Sequence, residues 1–278
     1  MTDQLETLGH SLIQHGKGSD RIYLMKLDPR DIPAITEDLD RLASSKGYTK
    51  IFAKVPEDIS YVFLDKNYVQ EARIPSFFEG KKTGLFLAKY FSEARKQITD
   101  EREITKIINL SIKKNVDKGM LPIHCHYPIQ KVMPQDVEAL SALYKTVFPS
   151  YPFPIDDPEY LRKTMASHIE YYLIRDAGKI VAAASSEMDP EAQHVEMTDF
   201  ATLPEYRGKN LSGCLLRYME KEMRERGMRL SYTIARALSY GMNMTFAKND
   251  YVFAGTLVNN TQISGQIESM NVWYKALA

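Results

Sequence analysis

Pro204-Glu205-Tyr206-Arg207-Gly208-Lys209-Asn210-Leu211-Ser212-Gly213 joins two segments of different periodicity. Before it, residues 195–202 read as an apolar strand. After it, residues 211–226 read as a helix. Leu211, Cys214, Leu215, Tyr218, Met219 and Met223 form one apolar stripe, and charged residues cover the other faces. Gly227 is placed to end the helix. A strand that turns through a glycine into a helix leaves several backbone N–H groups unpaired at the helix start. With the positive end of the helix dipole they form an anion site, most often for phosphate. The same spacing also describes an ordinary corner whose donors water satisfies.

Composition narrows the function classes. The chain has 278 residues, enough for one large or two modest domains. Lys+Arg and Asp+Glu are both 36, so there is no net charge and no basic stripe to mark a nucleic-acid binder. No apolar run reaches membrane-spanning length, and residues 1–20 lack a signal-peptide core. The two cysteines, Cys125 and Cys214, make a poor disulfide framework, and the expectation is a reducing cytoplasm. Alternation separates Cys125 from His124 and His126, which argues against a metal site; no metal is expected. Gly16-Lys17-Gly18-Ser19 lacks the strand and first glycine of a P-loop and reads as a turn in a flexible segment, 1–19.

Outward from the central turn, a regular element order appears. Residues 126–133 read as a strand, and a helix with Val137, Leu140, Leu143, Tyr144 and Val147 on one stripe follows Pro134. Tyr151-Pro152-Phe153-Pro154 breaks it, and residues 157–166 form a second, shorter helix. Residues 170–175 and 179–187 pair around Asp176-Ala177-Gly178. Past the long helix come a strand at 228–236, a helix at 239–249 and two closing strands.

The Arg207-Gly208-Lys209-Asn210-Leu211-Ser212 segment resembles the acetyl-CoA pyrophosphate loop of the GNAT superfamily of N-acetyltransferases, and the element order over 126–278 matches that fold. The superfamily has glycine, and then glycine or alanine, where this chain has Asn210 and Ser212. Asn tolerates a left-handed backbone and Ser is small and caps helices. More specifically, the chain resembles the β-lysine N-acetyltransferase family, which makes the compatible solute Nε-acetyl-β-lysine. The segments carrying this are Tyr151-Pro152-Phe153-Pro154, Tyr232-Thr233-Ile234-Ala235-Arg236-Ala237, Gly241-Met242-Asn243, Thr256-Leu257-Val258-Asn259-Asn260-Thr261 and Glu268-Ser269-Met270-Asn271-Val272-Trp273-Tyr274-Lys275.

The expected class is α/β (α+β): a GNAT domain at 123–278 with a mixed, mostly antiparallel sheet, preceded by a partial GNAT-like unit at 20–122. In that unit, residues 21–27 and 48–55 read as strands, 31–45 and 56–65 as helices, and 83–90 as a closing strand. Phe63-Leu64-Asp65-Lys66-Asn67-Tyr68-Val69 echoes Phe246-Ala247-Lys248-Asn249-Asp250-Tyr251-Val252, which suggests partial duplication; common βαβ grammar is the competing explanation. Residues 92–118 read as a connecting helix and 119–122 as the junction. The unit is expected to serve as scaffold, substrate wall or homodimer surface.

The resemblance implies acetyl-CoA as donor and a small amine as acceptor. It places the backbone of Phe200, Ala201 and Thr202 beside the reacting carbonyl, as oxyanion-hole-type donors, and Arg207 to Ser212 on the pyrophosphate. It implies Glu196 as general base, with Asp199, read as facing the other way, second; a counter-ion role for Glu196 is the alternative. The usual tyrosine proton donor aligns with Phe246, which cannot donate and is expected only to line the cofactor site; Tyr240 and Tyr274 are the substitutes, and a thiolate that leaves unprotonated or takes its proton from water is the alternative. Arg236 suits a substrate carboxylate, or else a surface ion pair. Tyr151 and Phe153 are placed to cover the acceptor, and Asn259, Glu268 and Asn271 fall in a hairpin that closes over it. No Cys/His nucleophile arrangement is present, which points to direct transfer. Another small amine, or a non-catalytic acyl-CoA sensor, are the competing functions.

Overall fold

The computed structural model describes residues 3–116 and 125–277. The first half runs β1 (Gln4–Leu8), β2 (Ser11–Gly16), β3 (Arg21–Lys26), α1 (Ile35–Lys46), β4 (Lys50–Pro56), α2 (Tyr61–Leu64), β5 (Val69–Phe78) and β6 (Lys82–Tyr90). Two helices lead out of it, α3 (Glu93–Lys96) and α4 (Glu101–Val116). The second half runs β7 (Ile129–Lys131), α5 (Val137–Val147), α6 (Pro158–Met165), β8 (Ile169–Asp176), β9 (Lys179–Asp189), β10 (His194–Thr202) and α7 (Leu211–Glu225). It closes with β11 (Leu230–Arg236), α8 (Tyr240–Lys248), β12 (Val252–Ile263) and β13 (Gln266–Ala276). The expected junction at 119–122 and His124 lie outside the described residues.

All thirteen strands join one mixed sheet, ordered β1-β2-β3-β4-β6-β5-β12-β13-β11-β10-β9-β8-β7. The two halves repeat one pairing scheme. In the first, β3 is antiparallel to β2 and parallel to β4, and β4, β6 and β5 continue antiparallel. In the second, β10 is antiparallel to β9 and parallel to β11, and β11, β13 and β12 continue antiparallel. Helix α1 occupies the place of α7, and α2 that of α8.

The halves meet where β5 pairs with β12 through Ala72 and Gly255. A Cβ on Gly255 would stand 2.0 Å from the Glu71 carbonyl oxygen, so only glycine lets the two backbones approach. Beside this seam a charged pair is sealed in. Lys50 Nζ lies 2.9 Å from Glu71 and donates to the Val258 carbonyl at 2.7 Å. Glu71 also accepts from Tyr90 and from the Val258 amide. Burial drives the Lys50 pKa down to about 8.

Three cores follow from the sheet. Ile35, Leu39 and Ala43 of α1 pack on Ile22, Leu24, Ile51 and Leu87. Helices α5, α6 and α7 pack on β8–β10 through Leu140, Tyr144, Leu161, Leu215 and Met219. The third core lies between the halves: Tyr23, Phe52, Phe77 and Phe86 meet Leu230, Tyr232, Leu257 and Val272. Phe77 stacks on His194 at 4.1 Å and meets Tyr232 edge-on at 5.1 Å. The inner faces of the two half-sheets therefore look at each other.

Two sequence expectations need correction. The expected flexible segment at 1–19 is ordered over its described residues, since β1 and β2 pair through five residues and extend the sheet. Their polar, mostly exposed edge strand hides them from periodicity. Strand β5 also went unread, because Pro75 sits inside it and its burial pattern is irregular.

Candidate active site

The turn after β10 has the geometry an anion needs. Gly208 and Asn210 both adopt left-handed φ, 80° and 59°, and Asn210 caps α7 in that conformation. The backbone amides from Gly208 to Ser212 find no hydrogen-bond partner among the described residues. The turn is exposed from Pro204 to Asn210, apart from half-buried Tyr206. Lys209 sits over the Tyr206 ring at 4.4 Å, and Tyr206 is anchored by donating to Asp176 at 2.9 Å. A cation beside free amides at a helix start suits a pyrophosphate.

Next to it the sheet parts. Strand β10 pairs with β11 only from His194 to Glu196, opposite Leu230 to Tyr232. Beyond Glu196 its β11 edge is open, and Phe200, Ala201 and Thr202 lie along that opening. The cause is a bulge: the register against β9 slips between Thr198 and Ala201, and Asp199 takes φ 54°. The bulge also overturns one expectation. Asp199 turns onto the Glu196 face, where it accepts from Ser185 Oγ at 2.6 Å, and Ser185 lies opposite Thr198. The Tyr151 hydroxyl lies beside Asp199 and Thr198.

Glu196 lies at the floor of the cleft. Burial, with Glu187 nearby, raises its pKa to about 7, while Lys54 pulls it down. Burial likewise raises Asp199 to about 6. Tyr232 lies beside Glu196 and accepts from Lys54 Nζ at 3.0 Å. Lys54 is a first-half residue, on β4, and lies over the rings of Tyr23 and Tyr232 at 5.3 and 5.4 Å. His194, buried against Phe77 and near Lys54, is held neutral, with its pKa lowered to about 3.

Other predicted residues lie elsewhere. Phe246 is fully buried, edge-on to Phe200 at 5.6 Å and to Tyr251 at 5.0 Å, a core residue that supports the open strand from behind. Tyr240 is 49% exposed at the start of α8. Tyr274 faces the cleft side, opposite Tyr232 in the register. Arg236 is committed to a two-point pair with buried Glu268, one bond being 2.8 Å. Asn271 is buried, accepting from Thr256 and donating to Asn243, which also accepts from the Trp273 indole. Asn259 donates to the carbonyls of Arg95 and Gln97, tying β12 to the first half. Arg236, Glu268 and Asn271 thus hold β13 to its neighbours, and Asn259 holds β12 to the segment after β6. Phe153 packs beside Tyr151 on the second-half core.

Sequence reasoning missed Lys54 and Tyr23. A signal was present: Lys50, Phe52 and Lys54 alternate on one face of an otherwise apolar strand. A lysine on an inward face is a costly placement that asks for a partner. Among the described residues, no group of three metal-ligating side chains occurs.

The family model described as "Acetyltransferase (GNAT) family" matches residues 137–239. The chain is 41% identical over 273 residues to the Beta-lysine N(6)-acetyltransferase of Methanococcus maripaludis, covering 98% of both chains. It is 32% identical over 270 residues to N-acetyltransferase YodP of Bacillus subtilis, covering 96% of both. A phosphinothricin acetyltransferase of Sinorhizobium meliloti, solved in complex with AcCoA, superposes with a TM-score of 0.50 at 13% identity, over 55% of this chain and 90% of that one. Its fold is shared by the second half. The pyrophosphate-type turn, the parted strands and the half-buried carboxylate of Glu196 thus coincide with relatedness over nearly the whole length: the chain belongs to the β-lysine N(6)-acetyltransferase family, within the GNAT acetyltransferases.

Proposed function

We propose that this enzyme transfers the acetyl group of acetyl-CoA to the side-chain amine of β-lysine, giving Nε-acetyl-β-lysine. The observation that carries the reading is the juxtaposition of Glu196 with the parting of β10 and β11. The thioester reaches the open edge of β10 with its carbonyl oxygen toward backbone N–H groups of Phe200, Ala201 and Thr202. The pyrophosphate rests on the Arg207–Ser212 turn. Glu196 takes a proton from the substrate ammonium, for which a pKa near neutrality is suited. The freed amine attacks the carbonyl, the N–C bond forms, the nitrogen gives up its second proton to water, and the C–S bond breaks to release the CoA thiolate. No covalent acetyl-enzyme is needed. Tyr274, one strand beyond Tyr232 on the same face, is the better placed of the two tyrosine candidates for returning a proton to the thiolate. The product serves as a compatible solute in the cytoplasm on this reading.

The test is CoA-thiol release from acetyl-CoA by purified enzyme with β-lysine, α-lysine, spermidine or no amine. Release with β-lysine well above the others is the expected result. Equal release with spermidine, or none with any amine despite CoA binding, refutes the reading.

A further inference from the structure

Deep between the halves, next to the Glu196 cluster, lies a patch of polar atoms without partners. Gln14 is fully buried, and neither its amide nitrogen nor its oxygen has a hydrogen-bond partner among the described residues. Arg21 is 4% exposed; its Nη1 donates to the Asn260 carbonyl at 2.8 Å and to Thr261 Oγ1 at 2.9 Å, while its Nε is unpartnered. Asn260 Oδ1 and Asp3 Oδ2 are unpartnered too. The register puts these groups together: Gly16 lies opposite Arg21, and Gln14 opposite Tyr23. Gln14, Arg21 and Tyr23 therefore share the cleft face, with Gln14 and Arg21 diagonal neighbours. Asp3 and Glu196 both act on the Arg21 charge, so Arg21 and the base lie within electrostatic reach. Buried polar groups in native proteins are nearly always paired, and a cluster of unpaired ones marks a place where something else binds.

The chemistry of the unpaired set specifies its occupant. Arg21 Nε and Gln14 Nε2 are donors, matched to a carboxylate. Gln14 Oε1, Asn260 Oδ1 and Asp3 Oδ2 are acceptors, matched to an ammonium. A zwitterionic amino-acid head satisfies both; a polyamine satisfies only the acceptors. Resting on the acceptor reading above, we propose that the first half of the chain holds the amino-acid head of the acceptor, with Arg21 and Gln14 on its carboxylate, so that its far amine extends past Tyr23 and Lys54 to Glu196. This assigns to Arg21 the carboxylate role that the sequence suggested for Arg236, whose guanidinium Glu268 already occupies.

Two variants and one analogue test it. The analogue is 1,4-diaminopentane, which is β-lysine without its carboxyl group. Wild-type enzyme is expected to prefer β-lysine over the diamine by at least about 100-fold in kcat/KM, the loss typical of unpairing a buried polar set. In Gln14→Leu and Arg21→Met the preference should fall to within about tenfold, with KM for acetyl-CoA unchanged. Gln14→Leu removes two unpartnered polar atoms, so its ligand-free Tm should rise while its KM for β-lysine rises, a combination a structural role does not produce. Retained discrimination in a folded Gln14→Leu protein overturns the head site. A thermal-shift arm with β-lysine and the diamine reads the site even without turnover: equal stabilisation of the wild type by both overturns it. Stabilisation by β-lysine alone without acetyl transfer refutes only the acceptor reading.

Discussion

Replacing Lys54 with methionine should move the pH dependence of catalysis without removing any group from the chemistry. Lys54 Nζ donates to the Tyr232 hydroxyl at 3.0 Å, and Glu196 lies beside the same hydroxyl. Two polar contacts meeting at one oxygen place the charges about 5 Å apart. At an effective dielectric constant of about 20 their attraction is about 3 kcal/mol, equivalent to about 2 pKa units. Water entering the cleft screens part of this, leaving a shift of about 1 to 2 units. The sign follows from the charge. The ammonium favours ionised Glu196, so removing it raises the carboxyl pKa above its present value of about 7. Activity that needs the carboxylate is then lost earlier as pH falls, and the acid limb moves upward by the same amount. The assay is kcat/KM against pH, by thiol release, for wild type, Lys54→Met and Lys54→Arg. The substrate amine titrates alike in all three, so the difference between profiles belongs to the protein. An acid limb that stays in place in Lys54→Met refutes the coupling, and with it the placement of Glu196 as the titrating base.

Glu196→Gln should lower kcat by about 10²- to 10⁴-fold with CoA affinity by calorimetry unchanged; wild-type turnover removes Glu196 from the chemistry. Asn210→Val puts a β-branched residue into a left-handed position, at a cost of about 1–2 kcal/mol. KM for acetyl-CoA should rise about tenfold and the amine KM stay level, and no change refutes the turn as the donor's anchor. Gly255→Ala should destabilise the fold by at least about 2 kcal/mol in urea unfolding, because the added methyl meets the Glu71 carbonyl. Lys50→Met strands the Glu71 charge and should cost about 3–5 kcal/mol; adding Glu71→Gln should recover most of that loss, and failure to do so would mean that packing, not charge, holds the seam.

The second half was legible because its signals are local. A helix stripe from Leu211 to Met223, a glycine-bearing turn and an apolar strand need no distant contact to be read, and the structure places α7 and β10 within a residue of the expected bounds. The face of Asp199 was not legible, because strict alternation assumes an unbulged strand and nothing local announces a bulge. Arg236, Glu268 and Asn271 carry the residue types of a binding site, but the register of β11, β12 and β13 spends Arg236 and Glu268 on each other and Asn271 on Thr256 and Asn243. The inward-facing Lys54 was readable, but what it and Tyr23 face was not. Their proximity to Glu196 exists only once β5 has met β12, and sequence periodicity describes faces, not what faces them.

That meeting divides labour along the chain. On the proposed function, the turn that would hold the donor and the carboxylate that would act as base lie after residue 190, whereas Gln14, Tyr23 and Lys54, which look across at them, all precede residue 60. Acceptor choice and acyl transfer can therefore drift independently within one gene. An enzyme of this design can be retargeted to a new amine by editing its opening strands alone, with its grip on the donor untouched.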